Sequence, residues 1–419
     1  MAARSILVVS TLDTKGIEVA FLCDRLRALG AAPFVVDAGI LGEPRGITPD
    51  VPSERVAAAA GSTLEIVRTA SRGRAVAIMA QGLGHIVRSL HREMRFEGAI
   101  GIGGLEGALL AAAALTALPF GIPKVSVSPV FSGVRRFQPF VGASDVALLH
   151  SVADLQGLNA VTELVLDRAA RMTVSAWPPR ERAAPVLGRV GLSLNGNTTG
   201  VGTSVRRELE STGYEVVSFH SNGVGGVMME ELATEGELSA LVDLTTNELT
   251  EEVVRGLFPV TGRLAISGRC SVPRVIVPGS MDFICQESGR VDPRFAGRPV
   301  DEHNPELVLV QVSPDEAAAV AQAMVDRLVR STGPVRVVVP TRGLSLAGSP
   351  GGVFEGAGAS GPLVDALICA ANGRLPLVLV DAPINDPATC RAVVSAFEGV
   401  LSAVVPSAVV PSVAEPVLG

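Results

Sequence analysis

An apolar strand that runs into a polar turn and straight on into a helix occurs twice in this chain, as SILVVSTLDTKGIEVAF near the start and GRVGLSLNGNTTG near the middle. No other feature restricts the fold as much. Strand–turn–helix units with short glycine turns assemble into parallel sheets covered by helices on both faces. After the first strand, Val19, Leu22, Leu26 and Leu29 recur at helical spacing, Gly30 stops the helix, and a strand returns over 32–37. Further strands are expected at 98–102 and 124–128, with an alanine-rich helix after Gly107 between them.

The stretch RMTVSAWPPRERAAPVLGRV breaks the pattern with three prolines and clustered arginines. With 419 residues, more than one hydrophobic core is expected. The expected domains are 1–180, an α/β nucleotide-binding subdomain, and 185–419, a second α/β subdomain facing it. The fold class is α/β, two Rossmann-like subdomains with mainly parallel sheets. Four strand ends match in order between the halves: 5–10 with 189–194, 33–36 with 214–219, 99–103 with 240–245, and 123–129 with 272–278. That order raises an internal duplication, the first unit carrying an extra segment near 42–95. Later, Ser313 and Glu316 make a capping box with Pro314 at the first helical position, which predicts a helix to about residue 331. Strands are expected again at 335–339 and 376–380. The glycine-rich loop 341–361 is long enough to be functional, and prolines break the segment beyond Leu401.

Hydrophobic residues make up 47% of the chain and charged ones 18%, which argues for buried sheets, and with aromatics at 4% aliphatic strands must supply the core. A formal net charge of −7 disfavours nucleic acid or an anionic membrane as partner. Five scattered cysteines without a CxxC pair suit reduced thiols, hence a cytoplasmic protein, and the N-terminus shows no signal-peptide pattern. The longest apolar run, 108–118, is too short to cross a bilayer.

Only two lysines, Lys15 and Lys124, stand among the 35 lysine and arginine residues. A retained ammonium suggests a site where the planar guanidinium fork does not fit. Ligands of open parallel sheets bind outside the carboxyl ends of the strands. The first unit offers Thr11, Asp13, Thr14, Lys15 and Gly16 there, then Gly103 and Gly104 from GIGGLEG, Ser126, Ser128, Ser132 and Gly133 after Lys124, and Gly142 and Asp145 from VGASD. A lysine, hydroxyls, glycine turns before helices and carboxylates suit phosphate plus a divalent cation, with Asp13 or Asp145 holding magnesium. The same residues also suit plain tight turns and helix caps. GIGGLEG misses the dinucleotide fingerprint, and TLDTKG is not a P-loop.

The second unit offers Asn197, Thr198 and Thr199, then His220, Gly225 and Gly226 in FHSNGVGG. To these it adds Thr245, Thr246 and Glu248 in DLTTNEL, Asp282 in PGSMD, and His303 and Asn304 in EHNP. A histidine with a carboxylate equips a site for proton transfer near neutral pH, although either histidine also fits a plain loop hydrogen bond. HExxH, GxSxG and cysteine–histidine metal spacings are absent from the sequence.

Together VSTLDTKGIE, IPKVSVS, VGASDVALLHSVADLQGLN, FHSNGVGGVMMEEL, LVDLTTNEL, PGSMDF, HNP and the late GPVRVVVPTRGLS–PGGVF segment resemble one family. It is the family of the ATP-binding inhibitory domain of the tomato mosaic virus resistance protein. The likeness runs over about 6–386. It implies a two-subdomain fold, ATP binding and a homodimer or higher homo-oligomer. It also implies a nucleotide site at Thr11, Asp13, Thr14, Lys15, Gly16, Gly103, Gly104, Gly142 and Asp145, and a second-unit cleft with His220, Gly225, Gly226, Asp282, His303 and Asn304. The chain departs from the family at Leu105 and Glu106, at Val134 in place of an acidic residue, and at Gly200 in place of a cysteine. The expected role is an ATP-dependent, magnesium-using enzyme that activates a small carboxylate-bearing metabolite by phosphoryl or adenylyl transfer. In this reading Lys15 serves the phosphates and His220 with Asp282 handles protons. Two alternatives stand beside it: an ATP-independent lyase, isomerase or hydrolase using His220, His303 and Glu248, and a non-catalytic, nucleotide-responsive interaction protein.

Overall fold

The computed structural model describes residues 4–132, 138–142, 144–176, 187–265, 271–355 and 360–403. The chain divides into two compact units, Met1–Arg182 and Ala183–Gly419. Each is α/β and Rossmann-like. The expectations placed on Gly133 and Val134, on Cys270 and on the segment beyond residue 403 lie outside the described residues.

In the first unit β1 (Arg4–Ser10), β2 (Ala31–Asp37), β3 (Gly98–Ile102), β4 (Lys124–Ser128) and β5 (Ala147–His150) form one sheet in the order β2-β1-β3-β4-β5. Every pairing in it is parallel. Its strands are buried on both faces because neighbouring residues alternate between two aliphatic layers. Ile6, Val8, Ile100, Val125 and Val127 pack on α1 (Leu12–Ala28) and α7 (Ala160–Ser175). Leu7, Val9, Val36 and Ala99 pack instead on α2 (Ser53–Ala59), α3 (Leu64–Thr69), α4 (Arg72–Arg92) and α5 (Leu105–Leu115). The extra segment is therefore a helical insertion, α2 to α4, that roofs one face of the sheet. A parallel bridge between Val36 and Val51 ties its start to β2, and the short α6 (Gln138–Val141) lies between β4 and β5 in the chain.

In the second unit β6 (Arg189–Leu194), β7 (Glu215–His220), β8 (Ala240–Thr245), β9 (Arg274–Gly279), β13 (Val335–Pro340) and β14 (Leu377–Val380) form a parallel sheet in the order β14-β13-β9-β8-β6-β7. Its first four strands repeat the spatial order of β1 to β4. No helical insertion separates β7 from β8; α9 (Gly225–Thr234) alone connects them. α8 (Thr199–Ser211) and α13 (Pro387–Ser402) cover one face. α10 (Asn247–Val254), α11 (Pro314–Leu328) and α12 (Ser360–Ala371) cover part of the other. The capping box of Ser313 and Glu316 is formed, and α11 ends a turn earlier than its sequence suggests. A small antiparallel sheet, β10 (Phe283–Glu287), β12 (Leu307–Gln311) and β11 (Val300–Asp301), was not foreseen. Among the described residues no helix is long and apolar enough to cross a membrane.

Candidate functional site

β1 leads to β2 on one side and β3 lies on its other side, so strand order reverses between β1 and β3. That is where open α/β sheets form a binding crevice. The Ser10 hydroxyl donates to the Ile102 carbonyl at 2.9 Å and draws the two strand ends together. A cavity of about 490 Å3 opens above them, within the range typical of small-molecule sites. Its polar wall holds Thr11, Asp13, Thr14, Lys15, Gly104 and Glu106. The insertion supplies Arg68 and Arg72, together with Val67, Ala70, Ala75 and Val76. Ile40, Leu41 and Leu110 complete the apolar wall.

Local chemistry explains these positions. Leu12 N–H donates to the Asp37 carboxylate at 2.9 Å, fixing the start of α1 at the strand end. Asp13 accepts from the amides of Ile40, Leu41 and Gly42 through Oδ2, so it holds the loop after β2 against the cavity. Burial pushes the Asp37 carboxyl up, against the pull of the Leu12 and Gly39 amides, with Asp13 adding to the rise. Lys15 is half-buried, and its ammonium donates to the Leu155 carbonyl. Arg68 donates to the Ile40 carbonyl at 2.9 Å. Gly104 caps α5 without a side chain, and a Cβ built there would meet nothing within 4 Å. The amino end of α5, with its unpaired amides and positive dipole end, therefore faces open space in the cavity. Glu106, in the first turn of α5, is paired with Arg72 at 2.9 Å. Its charge is thus balanced across the cavity by the insertion.

Other first-unit expectations are corrected. Lys124 opens β4, so it lies at the amino edge of the sheet. It is buried, ion-paired with Asp145 and bonded to the carbonyls of Pro119 and Ile122. Asp145 also accepts from Gly121 N–H. Lys124 and Asp145 thus sit a strand length, roughly 15 Å, from Asp13, and the two aspartates cannot share one metal. Among the described residues no group of three or more His, Cys, Asp or Glu could hold a metal ion. Ser126 and Ser128 are completely buried in β4 and do not line the cavity. Gly16 serves packing, since a Cβ there would come within 1.8 Å of the Arg45 carbonyl oxygen. Gly103 packs closely against Gly107, and Gly142 occupies a left-handed turn at φ +52 beside Thr116.

At the matching crevice of the second unit the predicted residues are bonded to one another. The Arg263 guanidinium is completely buried and pairs with Glu230, with Asp243 at 2.7 Å and with Glu248 at 2.8 Å. Gly226 N–H donates to Glu248, and a Cβ at Gly226 would strike both Glu248 and Arg263. Gly225 packs against the His220 carbonyl in the same way. Thr198 and Thr245 share a hydrogen bond of 2.6 Å, and Thr246 donates to the Val277 carbonyl. Burial pushes the Glu230 carboxyl up to about 7. Glu248, completely buried and held by Arg263 and Gly226, is no accessible base.

Asp282 is completely buried, accepts from Ser345 at 2.8 Å and Ser360 at 3.2 Å, and is pushed up to about 6 by burial. His220 ends the exposed edge strand β7, three strand positions from β9, or on the order of 14 Å. The expected His220–Asp282 pair is not formed. His303 is exposed and approaches Gly196, Asn304 caps the amides of Glu306 and Leu307, and Asn197 accepts from Ala347 N–H at 3.4 Å. Thr199 begins α8 and bonds back to the Asn195 carbonyl. A larger groove of about 600 Å3 runs between α8 and α13, but none of the residues singled out in the sequence lines it.

Arg68 and Arg72 escaped sequence reasoning. Both lie in the helical insertion, away from any strand end. Their one signal was arginine beside alanine and valine in a region with no counterpart in the second half.

Two wound α/β units, the first with a polar–apolar cavity at its switch point, define a Rossmann-like two-domain protein. The chain belongs to the UPF0261 family. The N-terminal domain of that uncharacterised protein family matches residues 4–180 and its C-terminal domain residues 188–401. A UPF0261 protein of Clostridium tetani is 32% identical over 91% of this chain and 95% of its own length. One of Mesorhizobium japonicum is 34% identical over 93% of this chain and 98% of its own. The tomato (Solanum lycopersicum) ToMV resistance protein Tm-1 is 29% identical over 94% of this chain, which spans 55% of that longer protein. Among solved structures, a UDP-N-acetylglucosamine 2-epimerase covers 65% of this chain and 79% of its own at 11% identity, with a TM-score of 0.24. So loose a superposition has no bearing on the reaction.

Proposed function

We propose that the first-unit cavity binds ATP as its magnesium complex and that the protein is an ATP-dependent enzyme activating a small carboxylate-bearing metabolite. The observation that supports this reading is the convergence, in one cavity, of the open amino end of α5 with Lys15, Arg68 and Arg72, opposite an aliphatic wall. Backbone amides and cations suit phosphate, and the wall of Val67, Val76, Ile40 and Leu110 suits the flat apolar face of a base. Magnesium commonly binds through one or two carboxylates plus substrate phosphates, so a preformed cage of protein ligands is not required. In such a reaction a carboxylate oxygen of the metabolite attacks the γ- or α-phosphorus, the bond to the bridging oxygen breaks, and ADP or pyrophosphate leaves. The chain's own residues position and neutralise phosphate charge. Assembly as a homodimer belongs to the same reading.

A second reading is a nucleotide-responsive interaction protein. It is favoured by Leu41, which lines the cavity and is 84% exposed, and by the burial of Glu248 and Asp282. Thermal melting with and without ATP and magnesium tests both. Ligand at a hundredfold excess over Kd stabilises by about 2.7 kcal/mol, and Lys15→Ala should remove much of that gain. No shift in the unmodified protein refutes nucleotide binding. A shift without turnover of any carboxylate substrate supports the second reading.

A further inference from the structure

Resting on the nucleotide reading above, we propose that Glu106 is the carboxylate that receives the divalent cation carried in with the phosphates, and that Arg72 parks it until then. Of the residues first considered for this role, Asp145 serves Lys124 at the far edge of the sheet, while Asp13 gives Oδ2 to the three amides of residues 40–42 and keeps Oδ1 buried without a hydrogen-bond partner. Asp13 and Glu106 are the two carboxylates that line the cavity, so Glu106 is the one left with an exposed, exchangeable partner.

Three observations support the assignment. Glu106 stands in the first turn of α5, two residues past Gly104, so its carboxylate is beside the amides that suit phosphate. It is 37% exposed by side chain, reachable by a hydrated ion, while Arg72 is 81% exposed. An ion pair between such exposed groups is weak, so exchange of Arg72 from the carboxylate to a phosphate costs little. Without a cation the freed carboxylate would then repel the phosphates from within the cavity. With a divalent cation between them, directly or through water, the repulsion becomes a bridge. The cavity thereby selects the magnesium complex over the bare polyanion. Arg72 belongs to the insertion and Glu106 to the switch-point helix, so the exchange would also loosen the insertion's hold on the cavity mouth.

The test is ATP affinity by calorimetry, with magnesium and with EDTA, for the unmodified protein, Glu106→Gln and Arg72→Ala. Magnesium should tighten binding to the unmodified protein by about tenfold or more, the scale of one charge-assisted contact. Glu106→Gln should lose most of that gain while holding metal-free ATP at least as well. Arg72→Ala should weaken both forms and keep the magnesium gain. Manganese replaces magnesium as a direct probe: the bound-ion resonance of Mn·ATP should broaden differently when Glu106 is changed. A full magnesium gain in Glu106→Gln, with an unchanged manganese signal, overturns the assignment of Glu106 and leaves nucleotide binding standing. Absence of ATP binding in every variant and in the unmodified protein overturns both.

Discussion

At the carboxyl ends of β1 and β3 the first unit leaves a cavity of about 490 Å3, whereas at the ends of β6 and β8 the second unit buries Arg263 among Glu230, Asp243 and Glu248. The strand order around both crevices is the same. The difference lies in the segment after the second strand. In the first unit a helical insertion stands back from the crevice and walls it. In the second unit α9 packs directly onto Glu248 through Gly226, and a guanidinium from the chain takes the central place. Topology alone provides a crevice; the loops decide whether a ligand or a side chain fills it.

The sharpest way to break this contrast is Arg263→Met. Removing one partner of a buried ionic cluster leaves uncompensated charge, so it should cost about 3–5 kcal/mol and lower the melting temperature. ATP affinity of the folded protein should not change. An unaltered melting curve would mean that the second crevice is not held shut by this residue.

Asp282→Asn should have a smaller, pH-dependent effect. The native carboxyl is raised to about 6 from 3.8 by burial, so the folded state favours the protonated form. Its contribution is fully present below about pH 4 and is lost as pH rises through about 6, on the order of 3 kcal/mol in all. Glu230 and Glu251, raised to about 7, slope in the same direction. The signature is therefore the difference between the unmodified and Asn profiles, which should grow between pH 4 and 7. Parallel profiles would show that Asp282 is ionised already.

The smallest expected effect on stability, and the most informative for the first crevice, is Gly104→Ala. A methyl there meets nothing within 4 Å, so unliganded melting should stay within about 0.5 kcal/mol. On the nucleotide reading the methyl would enter the space taken by the anion, and ATP affinity should fall about tenfold. Unchanged affinity would place the phosphates elsewhere.

Strand–turn–helix patterning was enough to anticipate two mainly parallel sheets and the sequential match of four strands between the halves, because a strand buried on two faces must be aliphatic throughout, whereas the half-buried β5 escaped it. It also singled out Thr11, Asp13, Thr14, Lys15 and Gly104, which the structure gathers in one cavity. It misplaced Lys124 and Asp145 for a definite reason: a residue that opens a strand lies at the opposite edge from one that closes it, and lysine near a serine-rich strand does not say which. Glu248 misled because its partner, Arg263, comes from a loop outside any strand end, and Asp282 because the hydroxyls of Ser345 and Ser360 reach it from far along the chain. A glycine after a strand reads the same whether its missing Cβ makes room for a ligand, as at Gly104, or for a neighbouring backbone, as at Gly16.

The helices of the insertion keep water off the sheet with their inner turns, where Val67, Ala75 and Met79 lie against the core. Their outer turns, at Arg68 and Arg72, meet whatever enters the cavity. Val67 and Ala75 face both the core and the cavity, so a change there alters folding and the pocket together, whereas the exposed Arg68 and Arg72 can change without touching the core.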